Sequence, residues 1–266
     1  MGGRYDSSKT RVVPVFGELL RQDPTGDSWL QRLLELAQAG SQIRGVTSSA
    51  CSGIKEVRMG IDEIPLPPPR DLLRWLVKHA KRPAQSSALG KSKSTREKRE
   101  KLLAKDPQVI DEALTSLREK EVPGSAWYIL EGPSWPDVFL IANGLMLVVE
   151  GKRTEAKPTR STTWMPVRDQ MLRHLDCAWE LHRAGGPAPV GVFIVEGTPA
   201  NGAVPDKWRR DLNESRLPPI LTESLPHRSS EEREAIRDSF LGVTTWQRIC
   251  DEFCIPINSL PEFCDD

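Results

Sequence analysis

Three ionisable residues, Asp137, Glu150 and Lys152, stand at the ends of the most apolar part of the chain, the stretch WPDVFLIANGLMLVVEGKRTE over residues 135–155. Asn143-Gly144, between its two apolar runs, is a strong signal for a two-residue hairpin turn of type I′. With the turn there, Ala142 faces Leu145, and counting outward in equal steps sets Asp137 opposite Glu150. Directly opposed Cβ atoms lie about 4.5–5.5 Å apart, so the two carboxyl groups share one end of the hairpin. Lys152 is two residues further on and projects from the same face as Glu150.

Two acids so placed repel each other beside an apolar sheet. The repulsion is offset if one carboxyl is protonated, if the lysine lies between them, or if a divalent cation binds. Two carboxylates, a nearby backbone carbonyl and water make a hard-oxygen site suited to Mg2+ or Mn2+. A lysine beside it orients water, favours its deprotonation or stabilises developing phosphoryl charge, which suits phosphodiester hydrolysis. The competing reading is a salt bridge at the end of a sheet.

The elements that must hold these residues follow from the flanking pattern. Asp106 is placed to cap a helix with Pro107 at its first position and an apolar stripe of Val109, Ile110, Ala113, Leu114 and Leu117. AWYILEG (residues 126–132) predicts a short first strand before the hairpin. A helix with Pro166 near its start and Gly185 as its stop follows, then APVGVFIVEG, a strand apolar enough to be buried on both faces. Proline-rich loops and two helices, around residues 231–241 and 244–253, close the chain. The order is αβββαβ with trailing helices, an α/β fold with a mixed central sheet flanked by helices over residues 106–266.

Residues 1–105 predict a mainly helical N-terminal region with a basic linker. One helix carries Trp29, Leu30, Leu33, Leu34 and Leu36 and ends at Gly40; a second spans residues 71–81 and is closed by Pro83. From Lys91 to Lys105 there are seven Lys and Arg against two Glu. This run has two readings, a solvated helix face or an arm that contacts phosphates.

Composition narrows the partners. Lys and Arg total 37 against 37 Asp and Glu, so overall charge does not drive binding to nucleic acid or membrane, and any attraction is local. The five cysteines are odd in number and scattered, without the paired knuckles of a structural zinc site, and read as reduced thiols of a cytoplasmic protein. MGGRYDSSKT has no apolar core, so no signal peptide is expected, and Asp6 stands where a myristoylation signal needs Ser or Thr. The longest apolar run, residues 138–149, is too short to cross a bilayer. No Walker A motif is present, which leaves NTP hydrolysis without support.

Pro136-Asp137, the hairpin and Glu150-Gly151-Lys152 together resemble the PD-(D/E)XK nuclease superfamily, with its restriction-endonuclease-like core, over roughly residues 106–200. The resemblance implies metal-dependent cleavage of nucleic acid, with DNA the expected substrate and defence, restriction or repair the expected setting. It makes Asp137 and Glu150 metal ligands, the carbonyl of Gly151 a third, and Lys152 the catalytic lysine. In related members a glutamine lies near the site in a Q-x-x-x-Y pattern; here Gln170 and His174 occupy those places, with histidine for tyrosine, and the resemblance implies a catalytic role for Gln170 and a substrate contact for His174. Both are otherwise the polar border of a core-packed helix. Many members add a glutamate before the first strand; Glu112 and Glu119 are available but lie opposite the apolar stripe, and Glu131 is a further candidate. Arg153, Lys157, Arg160 and Arg168 are placed to contact phosphates and Trp164 to stack on a base. Their other reading is an exposed loop with Trp164 in the core. The alternative function is a catalytically silent module that keeps the fold and binds nucleic acid, or a protein partner through the N-terminal region.

Overall fold

Strands as apolar as residues 138–149 and 188–195 have no polar face to turn to water, so helices must cover both sides. The computed structural model, which describes residues 6–37, 48–118, 126–159 and 161–263, shows this arrangement. Among the described residues, five strands form one mixed sheet in the order β1-β2-β3-β4-β5. They are β1 (Glu56–Met59), β2 (Val138–Ile141), β3 (Leu145–Gly151), β4 (Ala188–Val195) and β5 (Phe240–Thr245). The β1–β2 and β2–β3 pairs are antiparallel; β3–β4 and β4–β5 are parallel. The chain is therefore an α/β protein with a mixed sheet flanked by helices.

One face of the sheet is covered by α1 (Val13–Gln22), α2 (Leu30–Ala37) and α10 (Trp246–Glu252). Phe16, Leu19, Leu33, Leu34 and Trp246 pack there on Leu140, Leu147, Val149 and Val192. The other face is covered by α6 (Gln170–Arg183), α7 (Asp206–Ser215), α8 (Pro218–Ser224) and α9 (Ser230–Ser239). Met171, Leu175 and Trp208 meet Phe139, Val148 and Phe193 on that side. A satellite core joins α3 (Arg70–His79), α4 (Lys93–Leu103) and α5 (Pro107–Ser116) to Tyr128, Leu130, Trp164 and Met165. Among the described residues, no helix is long and apolar enough to cross a membrane.

The hairpin register is the expected one. Val138 pairs with Val149 and Phe139 with Val148, so the next step outward sets Asp137 against Glu150. The turn type differs, because neither Asn143 nor Gly144 has the positive φ that type I′ requires. The cause is a neighbouring segment: the amides of Asn143 and Gly144 donate to the carbonyls of Ser52 and Ala50. A Cβ on Gly144 would sit 2.5 Å from that of Ala50, so the glycine serves close approach rather than handedness.

Several elements depart from expectation. Residues 126–132 form a turn rather than a first strand, because Tyr128 and Leu130 sink into the satellite core and the Arg99 guanidinium takes the carbonyls of Trp127 and Ile129. The outer strand is instead β1, drawn from the N-terminal region, so helices α3 to α5 are inserted between β1 and β2. Residues 240–245, read as the end of one helix, a short link and the start of the next, form β5, which follows α9 with no intervening turn. The region after β4, read as loops, holds α7 and α8; prolines stand at or just before their first turns. The caps at Asp106 and Asp169 bind the amides that open α5 and α6, and Gly185 follows α6 with φ 98°. Gly40, Glu119, Arg160 and Cys264 lie outside the described residues.

Candidate active site

Strand alternation and a parallel neighbour together build the site. Glu150 and Lys152 share the α6 side of β3, where Val148 already packs, and β4 holds the backbone through Lys152 N to the Ile194 carbonyl (2.8 Å). Gly151 lies between them with its backbone turned the other way, and its amide donates to Asp137 Oδ2 at 2.7 Å. Within a strand the amide and carbonyl of one residue point to the same side, so the Gly151 carbonyl faces the Asp137 side too. A Cβ at position 151 would lie 2.5 Å from Val12 Cγ2 and 2.9 Å from the Trp246 ring. Only glycine lets Val12, α10 and the Asp137 carboxyl close on this point.

Glu150 is 4% exposed, and three side chains reach its carboxylate. Lys152 Nζ lies 2.8 Å and Gln170 Nε2 2.6 Å from Oε1; His174 Nε2 lies 2.9 Å from Oε2. Gln170 and His174 are one turn apart on α6, which explains why both reach one carboxylate. His174 Nδ1 meets Ser134 Oγ at 2.7 Å, and Ser134 is tied to Leu66 by two backbone hydrogen bonds. The inserted helical region is thereby fastened to the site.

The two acids experience opposite environments. Burial alone would raise the Glu150 pKa, but the hydrogen bonds and charges of His174 and Lys152 outweigh it and hold the group below its ordinary value. Asp137 is pushed up to about 8, first by burial and then by the Glu150 charge, against the Gly151 amide and Lys152. For Lys152, burial opposes the charge, but Glu150, Glu155 and Asp137 together raise its pKa, so it is an ammonium at neutral pH.

A hard cation suits this donor set. Asp137 carries a carboxyl group that the chain compensates poorly, strand geometry puts the Gly151 carbonyl on the Asp137 side of β3, and Gln170 Oε1 is buried without a hydrogen-bond partner among the described residues. All are oxygens, the ligand type that Mg2+ and Mn2+ prefer. Among the described residues, no three His, Cys, Asp or Glu side chains converge on one point.

The expected substrate contacts are placed elsewhere. Arg168 is 1% exposed, with its guanidinium bonded to Glu131 (2.9 Å), Asp176 (2.7 Å) and the Ser224 carbonyl. It is a core ion pair, not a phosphate contact, and Glu131 is committed to it and to Arg173 at 3.4 Å. Trp164 is 8% exposed in the satellite core, under the Arg99 guanidinium, rather than open for stacking. His174 is 2% exposed and holds Glu150 instead of substrate. Arg153 donates to the Glu262 carbonyl and lies 3.9 Å from Glu196. Glu112 pairs with Lys98 on the surface of the inserted helices. Much of the basic run is also engaged: Arg99 binds backbone carbonyls, and Lys98 and Lys93 lie against Glu112 and Glu97. Burial lifts the thiols of Cys51 and Cys250 to about 11, which leaves them poor nucleophiles.

Two site residues went unread. Glu63 lies four residues beyond Met59, the last residue of β1, and its charge acts on Asp137. Its own pKa is raised, first by burial and also by the Glu150 charge, and Ser8 Oγ donates to it at 3.3 Å. An open cleft lined by Ser8, Lys9, Val57, Met59, Ile61 and Glu63 begins there. Ser134 is the other. The signal for Glu63 was the alternation in EVRM, which marks a short strand; nothing local marked Ser134.

Neither protein-family models nor curated proteins nor solved structures gave a match to this chain.

Proposed function

We propose that this chain is a metal-dependent nuclease of the PD-(D/E)XK type that hydrolyses phosphodiester bonds, with DNA as the favoured substrate. The observation that carries the reading is Asp137 set opposite Glu150 at the strand ends, with the Lys152 ammonium 2.8 Å from Glu150. Asp137, Glu150 and the Gly151 carbonyl would hold Mg2+ or Mn2+, which when bound supplies Lewis acidity and neutralises phosphoryl charge.

The chain's own residues carry the rest. Lys152, kept protonated and largely shielded from water, donates toward a phosphate oxygen as charge builds on it. Gln170 and His174 fix the two oxygens of Glu150, so the carboxylate stays ionised and does not rotate. Asp137, pushed up to about 8 by burial and the Glu150 charge, would give up its proton when a cation binds beside it.

The test is cleavage of labelled linear DNA, circular DNA and RNA in Mg2+, Mn2+ or EDTA. Asp137→Ala is expected to fold normally and to cut nothing. Cleavage by a folded Asp137→Ala protein at the wild-type rate overturns the proposal.

A further inference from the structure

Residues 132–136, Gly-Pro-Ser-Trp-Pro, lead into the site and are held at almost every position. Arg173 donates to the carbonyls of Gly132 (3.0 Å) and Pro133 (2.7 Å). Ser134 exchanges two backbone hydrogen bonds with Leu66, each 2.8 Å, and its hydroxyl meets His174. Prolines at 133 and 136 restrict the backbone on either side of Ser134-Trp135. On this fixed segment Trp135 is 51% exposed, while its neighbour Ser134 is fully buried. The chain has eight tryptophans; the other seven are buried or half-buried, and Trp135 alone stands out in solvent.

Leaving about half of a large aromatic side chain in water forfeits part of the ~1.5–3 kcal/mol that full burial of a large apolar side chain provides. The same ring on a rigid segment is a ready platform for another flat ring, at little cost in ordering. Its place is specific. One neighbour, Ser134, supports Glu150 through His174, and two residues on stands Asp137, a backbone reach of about 7 Å.

We infer that Trp135 stacks on an unpaired nucleobase within one or two nucleotides of the scissile phosphate, so that the substrate presents a single strand or an opened end at this site. The inference rests on the nuclease reading and narrows its substrate class. In an intact duplex every base is already stacked and covered, whereas an unstacked base offers a free face to an indole, whatever its identity.

The experiment measures binding apart from cleavage. Fluorescein-labelled single-stranded DNA and RNA oligonucleotides, and their blunt duplexes, are titrated by anisotropy in EDTA with the full chain, Trp135→Phe and Trp135→Ala. Trp135→Ala is expected to weaken single-strand binding about 5- to 150-fold, the equivalent of about 1–3 kcal/mol for one stacked base. Trp135→Phe is expected to keep most of the affinity, and duplex binding to change little in either variant. Unchanged single-strand affinity in Trp135→Ala, alongside wild-type metal-dependent cleavage, overturns this inference and leaves the nuclease reading standing. A full chain that binds no strand and cleaves none overturns both.

Discussion

Asp137 concentrates the chemistry of the site in one titration. Its folded pKa of about 8 lies above the ordinary aspartate value of about 3.9, first because of burial and then because of Glu150. Between those two values the folded chain keeps a proton that the unfolded chain has lost, so stability falls as pH rises through the window and levels off above it. Replacing Asp137 with Asn removes this pH dependence. We expect the metal-free Asp137→Asn protein to gain melting temperature relative to wild type between pH 5 and pH 8, and saturating Mg2+ to shrink the gap by stabilising wild type alone. Parallel melting curves across that range, with or without metal, would contradict the assignment. The site was legible at this scale because its geometry is local. A two-residue turn and the period of a strand are enough to bring Asp137, Glu150 and Lys152 together.

Side chains whose place is fixed by distant partners were not legible in the same way. Arg168 follows a basic loop and reads as a surface cation. It is buried because Glu131 and Asp176 wait for it inside, and Asp176 in turn binds Arg228 at 2.8 Å. Burial tends to lower the pKa of Arg168, but the charges of Glu131 and then Asp176 more than restore it. This network ties α6 to α8 and to the segment before α9. Removing one member leaves the others charged in the core, which costs about 3–5 kcal/mol. Urea unfolding of Arg168→Ala is expected to show a loss of that size, while the folded fraction binds nucleic acid with wild-type affinity. A stable Arg168→Ala protein with weakened binding would restore the phosphate-contact reading. Similarly, β5 escaped notice because a strand buried on both faces has no alternation, and it joins α9 and α10 without a break.

At the scale of the molecule, the residues before position 106 belong to the body of the sheet. They supply β1 at its edge, and α1 and α2 over one face; Val12, Phe16, Leu30 and Leu33 are each 0–2% exposed. A chain of residues 106–266 would expose that apolar face and leave β2 as the edge. We expect such a fragment to be aggregated or molten, with collapsed amide dispersion in its NMR spectrum, and a well-dispersed spectrum would mark a boundary at 105 as a true one. The α/β class and the mixed sheet were readable from the order of periodic segments, whereas the insertion of α3 to α5 inside the sheet was not, because β1 is four residues long and paired far along the chain. All of these layers converge on holding Lys152 beside the acid pair. The most direct measurement is therefore the single-turnover cleavage of labelled single-stranded and duplex DNA in Mg2+ by wild type and by Lys152→Ala, each confirmed folded. Metal-dependent cleavage by wild type that falls at least ~100-fold in Lys152→Ala, the scale of losing one charge-stabilising donor, is the expected result. Equal rates in the two proteins, or cleavage by wild type that persists in EDTA, would contradict it.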